Sequence, residues 1–263
     1  MHPVTAPDSQ RRTSASLRTV ILIPARYHST RLPGKALADI AGRPMIEHVY
    51  RRAMAVRGVN GVVVATDDER IRQAVHAFGG TARLTRPDHR TGTDRIAEVA
   101  RELDCEIVIN LQGDEPLIQA AMIEQVMEPF RDAAVVMTTL RRAIEEPREA
   151  ADPNVVKVVV DRNGDALYFS RSSIPFVRDP QVGTVLFKHI GLYGYRREFL
   201  ITFAALPPTP LETAESLEQL RAIEHGYRIR TPETSFDSIG VDTPEDLERV
   251  RRQLDELAAG TRA

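Results

Sequence analysis

Short runs of aliphatic and β-branched residues alternate with amphipathic stretches along the first half of the chain. The apolar runs predict β-strands at residues 19–23, 61–65, 106–111 and 134–140. Between them, apolar side chains recur every three to four residues, which predicts helices beginning near Pro44, Thr66 or Asp67, Thr93 and Ala120. Strands that alternate with helices favour an α/β fold with a mostly parallel, Rossmann-like sheet covered on both faces.

The pattern changes after about residue 153. Two apolar runs flank Asn163-Gly164, the strongest short-range signal for a hairpin. A long loop and another strand follow, and then helices are predicted at about 212–225 and 244–257. We therefore predict one domain over residues 19–263, with a β-rich arm at about 153–209, preceded by a disordered tail at 1–18.

Composition narrows the possible partners. The 263 residues carry a net charge of −2, so a general nucleic-acid binder is not expected. No run of about 18 apolar residues is present, so no membrane span is expected. Cys105 is the only cysteine and adjoins an apolar run, which indicates a buried structural thiol and fits a reducing, cytoplasmic compartment.

A dense group of cations follows the first predicted strand. Arg26, Arg31 and Lys35 lie in one loop that Pro33 and Gly34 stiffen and sharpen. The loop is not a Walker A motif, because Ser29 stands where its first glycine is needed, and no Gly-x-Gly fingerprint occurs. A solvated basic loop is the simpler interpretation, but a polyphosphate held by arginine and lysine explains the density of charge better.

Two carboxylates complete the pattern that a polyphosphate requires. Asp114 follows the third strand in the string QGDEP, and Asp242 precedes the last helix, where Thr243 is the better cap. Ligands of parallel α/β sheets bind beyond the carboxyl ends of strands, which is where Asp114 is expected. Alone, Asp114 could simply begin a turn. Together, the carboxylates predict an Mg²⁺ site beside bound phosphates.

Several strings, in order from residue 19 to 252, resemble the 3-deoxy-manno-octulosonate (Kdo) cytidylyltransferases. They include IPARYHSTRLPGKALADIAGRPMIEHV, TRPDHRTGTDRIAEV, NLQGDEPLI, KHIGLYGYRREFL and GVDTPEDLERVR. The resemblance implies a glycosyltransferase-A-like nucleotidyltransferase fold and a homodimer formed through the β-rich arm. It also implies a reaction in which CTP and a 2-keto-3-deoxy sugar acid give a CMP-sugar and pyrophosphate.

The resemblance also implies roles for single residues. The nucleotide-binding residues would be Arg26, Ser29, Arg31, Lys35, Arg90, Thr91, Gly92 and Arg95. The sugar-binding residues would be Gln112, His189, Tyr193, Glu218 and Gln219. Asp114 and Asp242 would bind Mg²⁺, and Arg26, Lys35 and Asp114 would be catalytic.

Some of these residues also have simpler interpretations than the implied roles. On the sequence alone, Glu218 and Gln219 fit the solvent face of an amphipathic helix, and His189 fits a hydrogen-bonded core histidine. His89 fits an ordinary loop residue. The chain departs from the family at Arg90, where a smaller polar residue is expected, and in SFDSIGVD, which replaces a shorter approach to Asp242.

Three alternatives to the implied reaction remain open. The acceptor could be another acid, such as 8-amino-Kdo, sialic acid or a phosphonate. The chain could also be a non-catalytic nucleotide-sugar sensor, although it keeps Lys35, Asp114 and Asp242 together. An RNA-binding module is the weakest alternative, because the basic residues concentrate in one loop and the tail.

Overall fold

The computed structural model describes residues 17–28 and 32–260. Its strands are β1 Thr19–Ala25, β2 Asp39–Ile40, β3 Arg43–Pro44, β4 Gly61–Thr66, β5 Ala82–Leu84, β6 Ile107–Asn110, β7 Met137–Ala143, β8 Lys157–Val160, β9 Ala166–Ser170 and β10 Phe187–Arg196. Its helices are α1 Met45–Met54, α2 Glu69–Ala77, α3 Gly92–Arg101, α4 Ala120–Met127, α5 Pro147–Ala151, α6 Arg197–Ala205, α7 Pro210–Glu215, α8 Gln219–Glu224 and α9 Pro244–Gly260. None of these helices has both the length and the apolar character needed to cross a membrane.

The central sheet has eight strands in two halves. Strands β5, β4, β1 and β6 are parallel neighbours in that order, and β10 joins β6 in the antiparallel sense. Strands β7 and β8 both pair with β10, and β9 pairs with β8. The chain leaves β1 toward β4 and β5 and returns to β6 on the other side of β1. That reversal creates a crevice between the carboxyl ends of β1 and β6, where α/β sheets bind ligands.

Alternation along β1 explains why the sheet is covered on both faces. Ile21 and Ile23 point into an apolar cluster that includes residues of α1 and α4. Val20 and Leu22 point into a second cluster that includes residues of α3 and α6. Successive side chains of a strand face opposite sides, so a strand buried on both faces reads as a continuous apolar run. The predicted α/β class and the Rossmann-like sheet are confirmed.

The predicted β-rich part extends the central sheet. The hairpin at Asn163-Gly164 is confirmed, because β8 and β9 pair around it and Gly164 adopts a left-handed φ of 79°. The strand after the long loop is also confirmed as β10.

Cys105 is buried as expected, and burial raises the pKa of its thiol.

Several predicted boundaries differ from the structure, including the strand predicted at 134–140, which is β7 at Met137–Ala143. The cap of α2 is Asp68, whose side chain accepts from the Arg70 amide, and neither Thr66 nor Asp67 fills that position. The tail was predicted to reach residue 18, but Leu17 packs against the core and the Arg18 carbonyl accepts from two backbone amides. Residues 1–16 of the predicted tail lie outside the described residues.

Candidate active site

A polar cavity of about 310 Å³ lies at the carboxyl ends of β1 and β6. The structure brings nine of the predicted site residues into its wall: Arg26, Lys35, Arg90, Thr91, Gly92, Arg95, Gln112, Asp114 and Asp242. The predicted nucleotide ligands Ser29 and Arg31 lie outside the described residues. The cavity therefore unites the cationic loop, the segment before α3 and both predicted metal ligands.

Lys35 lies between the two carboxylates. Its Nζ donates to Asp114 Oδ2 at 2.5 Å and to Asp242 Oδ1 at 3.2 Å. A tight turn delivers the lysine, because Gly34 adopts a φ of 69° and its amide donates to the Tyr27 carbonyl at 3.0 Å. A residue with a Cβ is strained at such a φ, so glycine suits this position. The two carboxylates thus converge on one positive charge.

The loops that carry the carboxylates are joined directly. The Val241 amide donates to the Asp114 carbonyl at 2.9 Å, and Ser238 Oγ donates to Glu115 Oε2 at 3.0 Å. Burial and the neighbouring Asp114 charge raise the pKa of Glu115 to about 7, against the opposing effect of the Ser238 hydrogen bond. This corner of the site consequently gathers more acidic groups than Lys35 alone can neutralise.

The carboxylates of Asp114 and Asp242 fit one Mg²⁺ ion that would arrive bound to the phosphates of a substrate. Within the two described ranges, no group of three or more His, Cys, Asp or Glu side chains is placed to hold a metal by itself. Asp114 and Asp242 instead offer a pair of carboxylates, and Lys35 already occupies the space between them as a cation. Mg²⁺ is typically bound by one or two carboxylates and completes its shell with phosphate oxygens and water.

The opposite wall is built on the start of α3. Thr91 and Asp94 form a reciprocal capping box that fixes the first turn of this helix. Arg95 lines the cavity but is only 4% exposed, and its guanidinium donates to Thr85 Oγ1 at 2.5 Å and Asp67 Oδ2 at 2.8 Å. These partners make Arg95 part of the supporting framework, and its predicted contact with phosphate or sugar stays a prediction.

His89 is a cavity residue that the sequence analysis treated as an ordinary loop residue. Its side chain lines the cavity, is 6% exposed and forms a short hydrogen bond through Nε2 to the Glu98 carboxylate. Glu98 also accepts from the backbone amide of Arg86. The local string gave no signal for this role, because the partner lies on α3 and meets His89 only in the folded protein.

Two predicted sugar ligands, His189 and Tyr193, belong to an aromatic cluster on β10. The His189 ring lies 5.0 Å from that of Phe169 and 5.4 Å from that of Tyr193, measured between centroids. Its Nε2 contacts Thr139 Oγ1 at 2.9 Å, and desolvation lowers the pKa of the imidazole to about 3. Burial also raises the pKa of Tyr193. The cluster offers neutral hydrogen-bonding groups on an aromatic surface.

Glu218 and Gln219 do not form the solvent face of a helix, as the sequence alone suggested. The predicted helix at 212–225 breaks at Ser216, which has a φ of 52°, and divides into α7 and α8. After the break, Gln219 is only 4% exposed and Glu218 Oε2 accepts from Thr93 Oγ1 at 2.5 Å. The turn at Ser216 therefore directs both side chains inward.

Two polar atoms of this pair are buried without a hydrogen-bond partner in the part of the chain that the structure describes. They are Glu218 Oε1 and Gln219 Nε2. Glu218 Oε1 has an ion-pair partner, Arg221 Nη2 at 3.7 Å, whereas a buried donor without a hydrogen bond, such as Gln219 Nε2, costs about 1–3 kcal/mol; both atoms can therefore take a polar ligand. Thr93 adjoins cavity-lining Gly92, which places the pair beside the cavity.

Comparison with known proteins agrees with this arrangement. The family description "Cytidylyltransferase" matches residues 20–229. The chain is 54% identical to the 3-deoxy-manno-octulosonate cytidylyltransferase of Geobacter metallireducens, over 90% of this chain and 98% of the relative. It is 56% identical to the protein of the same name from Solibacter usitatus, over 88% and 92% of the two chains.

Two solved structures are similar to this chain, one in sequence and fold and the other in fold alone. A CMP:2-keto-3-deoxy-manno-octonic acid synthetase complexed with CTP superposes with a TM-score of 0.87 at 51% identity, covering 91% of this chain and 99% of the other. A 4-diphosphocytidyl-2C-methyl-D-erythritol synthase from Anaerococcus prevotii shares the fold at a TM-score of 0.60 and 13% identity, covering 92% and 100%.

Proposed function

Because this chain belongs to the cytidylyltransferase family, we propose that it transfers CMP from CTP to the anomeric hydroxyl of Kdo, giving CMP-Kdo and pyrophosphate for lipopolysaccharide synthesis in the cytoplasm. The observation that carries the proposal is the convergence of Lys35, Asp114 and Asp242 in the cavity at the β1–β6 crevice. A triphosphate with Mg²⁺ matches this alternation of positive and negative groups.

The reaction is a displacement at phosphorus. The anomeric oxygen forms a bond to the α-phosphorus, the bond to pyrophosphate breaks, and the hydroxyl proton is released. Several negative charges meet in this step, so positioning and electrostatic stabilisation should supply most of the catalysis. No serine or cysteine nucleophile is required.

The phosphate side of the cavity would neutralise these charges. Arg26 and Lys35 would donate to phosphate oxygens, joined by Ser29 and Arg31 from the same loop. Asp114 and Asp242 would hold Mg²⁺, which supplies Lewis-acid stabilisation of the phosphate charge when bound. Thr91 and Gly92, with Arg90, would face the nucleoside at the opposite wall.

The sugar acid would bind next to the nucleotide, among the polar side chains named below. Gln112 lines the cavity and its Nε2 lies 3.4 Å from Asn110 Oδ1, next to the strand that carries Tyr193. Glu218 Oε1, which lies 3.7 Å from Arg221 Nη2 without a hydrogen bond, would accept from a sugar hydroxyl, and Gln219 Nε2 would donate to one. His189 would contribute as a neutral imidazole, in accord with its lowered pKa.

A homodimer through the β-rich part belongs to the same proposal. The segment carries large apolar side chains in solvent, with Phe176 88% and Val182 69% exposed. Leu167 and Val185 are exposed nearby in the sequence. A second copy of the chain would cover such residues, because contiguous exposed apolar surface marks interaction sites.

The direct test measures pyrophosphate release with CTP, Mg²⁺ and a panel of acids that contains Kdo, 8-amino-Kdo, sialic acid and a phosphonate. We expect turnover with Kdo and a product with the mass of CMP-Kdo. CTP should be preferred over UTP because a buried donor–acceptor mismatch costs about 1–3 kcal/mol. Preference for another acid would reassign the substrate, and equal turnover with ATP would contradict the cytidine specificity.

A further inference from the structure

The segment that delivers Asp242 has no regular secondary structure. From Ser235 to Asp242 the described chain forms neither a helix nor a strand, so ladder hydrogen bonds do not fix its course. This segment contains the string SFDSIGVD. The position of Asp242 is fixed on one side by α9, because its amide donates to Asp246 Oδ2 at 3.1 Å, and on the other side by individual anchors along the segment.

Asp237 is the anchor that ties the segment to the central sheet. Its Oδ2 forms an ion pair with Arg142 Nη1 at 2.6 Å and accepts a hydrogen bond from Lys188 Nζ at 2.9 Å. Arg142 lies on β7 and Lys188 on β10, which are paired neighbours, and the Lys188 side chain is only 8% exposed. One carboxylate is thus held by two cations that project from adjacent strands of a rigid sheet.

Two further contacts connect Asp237 to the metal site. Ser238 binds the Glu115 carboxylate, and the Val241 amide binds the Asp114 carbonyl. Val241 is fully buried in a small apolar cluster with residues of β2 and α9. These anchors run in order along the chain up to Asp242, whose own amide donates to Asp246 Oδ2 at the start of α9.

We propose that Asp237 is a positioning residue that holds Asp242 opposite Asp114 through this ordered set of contacts. Asp237 is not among the residues that line the cavity, so it would act through the backbone of residues 238–242 rather than on substrate. The proposal rests on the metal-binding role proposed above for Asp242. Groups that orient metal ligands typically change metal affinity or activity by about 10- to 100-fold when they are removed.

Removing the Asp237 charge should leave the fold intact, since both cations keep another carboxylate. Arg142 Nη2 also contacts Glu145 at 3.2 Å, and Lys188 Nζ contacts Glu149 at 2.6 Å. Asp237→Asn is therefore a suitable variant. Glu145→Gln is its matched control, because it removes a carboxylate from the same Arg142 without touching the segment.

The first measurement is hydrogen exchange in peptides that cover residues 238–242, without nucleotide. We expect faster exchange in Asp237→Asn than in the parent or in Glu145→Gln, together with similar melting temperatures. Asp237→Glu, which keeps the charge, should restore part of the protection. Unchanged exchange in Asp237→Asn, or an equal change in Glu145→Gln, would overturn the proposal.

The second measurement is calorimetric binding of CTP with and without Mg²⁺. We expect the Mg²⁺-dependent gain in CTP affinity to fall by about tenfold in Asp237→Asn, with metal-free binding retained. If Mg²⁺ strengthens binding equally in parent and variant, only the role of Asp237 is refuted. If Mg²⁺ has no effect on the parent, the metal role of Asp242 is refuted and the positioning role with it.

Discussion

Lys35 resolves an electrostatic conflict at the level of single residues. Asp114 and Asp242 come from distant parts of the chain, 79 and 207 residues away from Lys35, and both contact its ammonium group. Without that cation the two carboxylates would repel each other. Because a lysine is a compact and mobile point charge, Lys35 would be able to donate to the phosphates of the proposed substrate, while Asp114 and Asp242 would hold the proposed Mg²⁺.

Replacing either carboxylate tests this arrangement. We expect Asp114→Asn and Asp242→Asn each to reduce turnover by at least about 100-fold, because each would remove a ligand charge from the proposed metal site. Folding should survive, since Lys35 keeps one carboxylate partner in either variant. Turnover, Mg²⁺ dependence and melting temperature should be compared with Asp104→Asn, an exposed control. Near-normal turnover in one variant would remove that residue from the site.

His189 gives a pH prediction for stability. Its pKa is lowered from 6.5 to about 3 by desolvation, so below about pH 6.5 the unfolded chain takes up a proton that the folded chain does not. Stability therefore falls as the pH falls, because protons bind preferentially to the unfolded chain. Between about pH 6 and pH 3, the parent should lose up to about 1.4 kcal/mol of unfolding free energy per pH unit relative to His189→Gln.

Urea denaturation at pH 7.5 and pH 5 measures this difference. The unfolding free energy of His189→Gln, relative to that of the parent, should be higher at pH 5 than at pH 7.5. An identical pH response of the parent and His189→Gln would show that His189 is not held neutral in the folded state.

At the level of elements, the sequence was most informative where one local rule decides the outcome. The apolar runs located β1, β4 and β6, and Asn163-Gly164 located the β8–β9 hairpin, because pattern and turn chemistry suffice there. The break at Ser216 could not be predicted in this way. A positive φ at a serine is unfavourable by itself and depends on contacts elsewhere in the fold. The helix pattern alone therefore placed Glu218 and Gln219 on a solvent face, whereas the structure directs them inward.

The carboxyl ends of β1 and β6 approach so closely that Gly113 has no room for a side chain. A Cβ at Gly113 would lie 2.9 Å from the Pro24 carbonyl oxygen, which is backbone and cannot rotate away. We expect Gly113→Ala to lower the unfolding free energy by about 1–3 kcal/mol and to reduce turnover, because the loop that carries Asp114 must shift. Denaturation and steady-state kinetics measure the two effects.

Gly61→Ala is the matched control for that substitution. A Cβ at Gly61, at the start of β4, meets no atom within 4 Å and its φ is not in the left-handed region. Its effect on stability should be small or favourable, as for glycine to alanine changes at compatible positions. Equal losses in the two variants would show that the close contact with Pro24 is not the cause.

At the scale of the whole molecule, the two halves of the sheet have different tasks. The parallel half forms the crevice, whereas the antiparallel half supplies His189 and Tyr193 from β10 and anchors the segment that returns to Asp242. Local sequence patterns could place β1, β4 and β6 of the parallel half but missed the short strand β5. They could not show that β7 and β10 hold the approach to Asp242, because those ion pairs join residues that are far apart in the chain.

The N-terminal boundary is a property of the whole molecule that two deletions can test. Residues 1–16 carry no periodic apolar face in the sequence, so removing them should leave stability and turnover nearly unchanged. Removing residues 1–18 should differ, because the Arg18 carbonyl accepts from the Glu106 and Ile107 amides and the Arg18 amide donates to the Glu106 carboxylate.

The longer deletion should therefore lower the unfolding free energy by about 1–3 kcal/mol, through lost hydrogen bonds at the start of β1 and β6 and lost packing of Leu17. Turnover should persist, because these contacts lie at the end of both strands opposite the cavity. Urea denaturation and pyrophosphate release for the parent and both deletions decide the matter. Equal stability of the two deletion variants would show that Leu17 and Arg18 contribute nothing to the unfolding free energy. A loss of turnover at unchanged stability after removal of residues 1–16 would mean that the tail contributes to the active site.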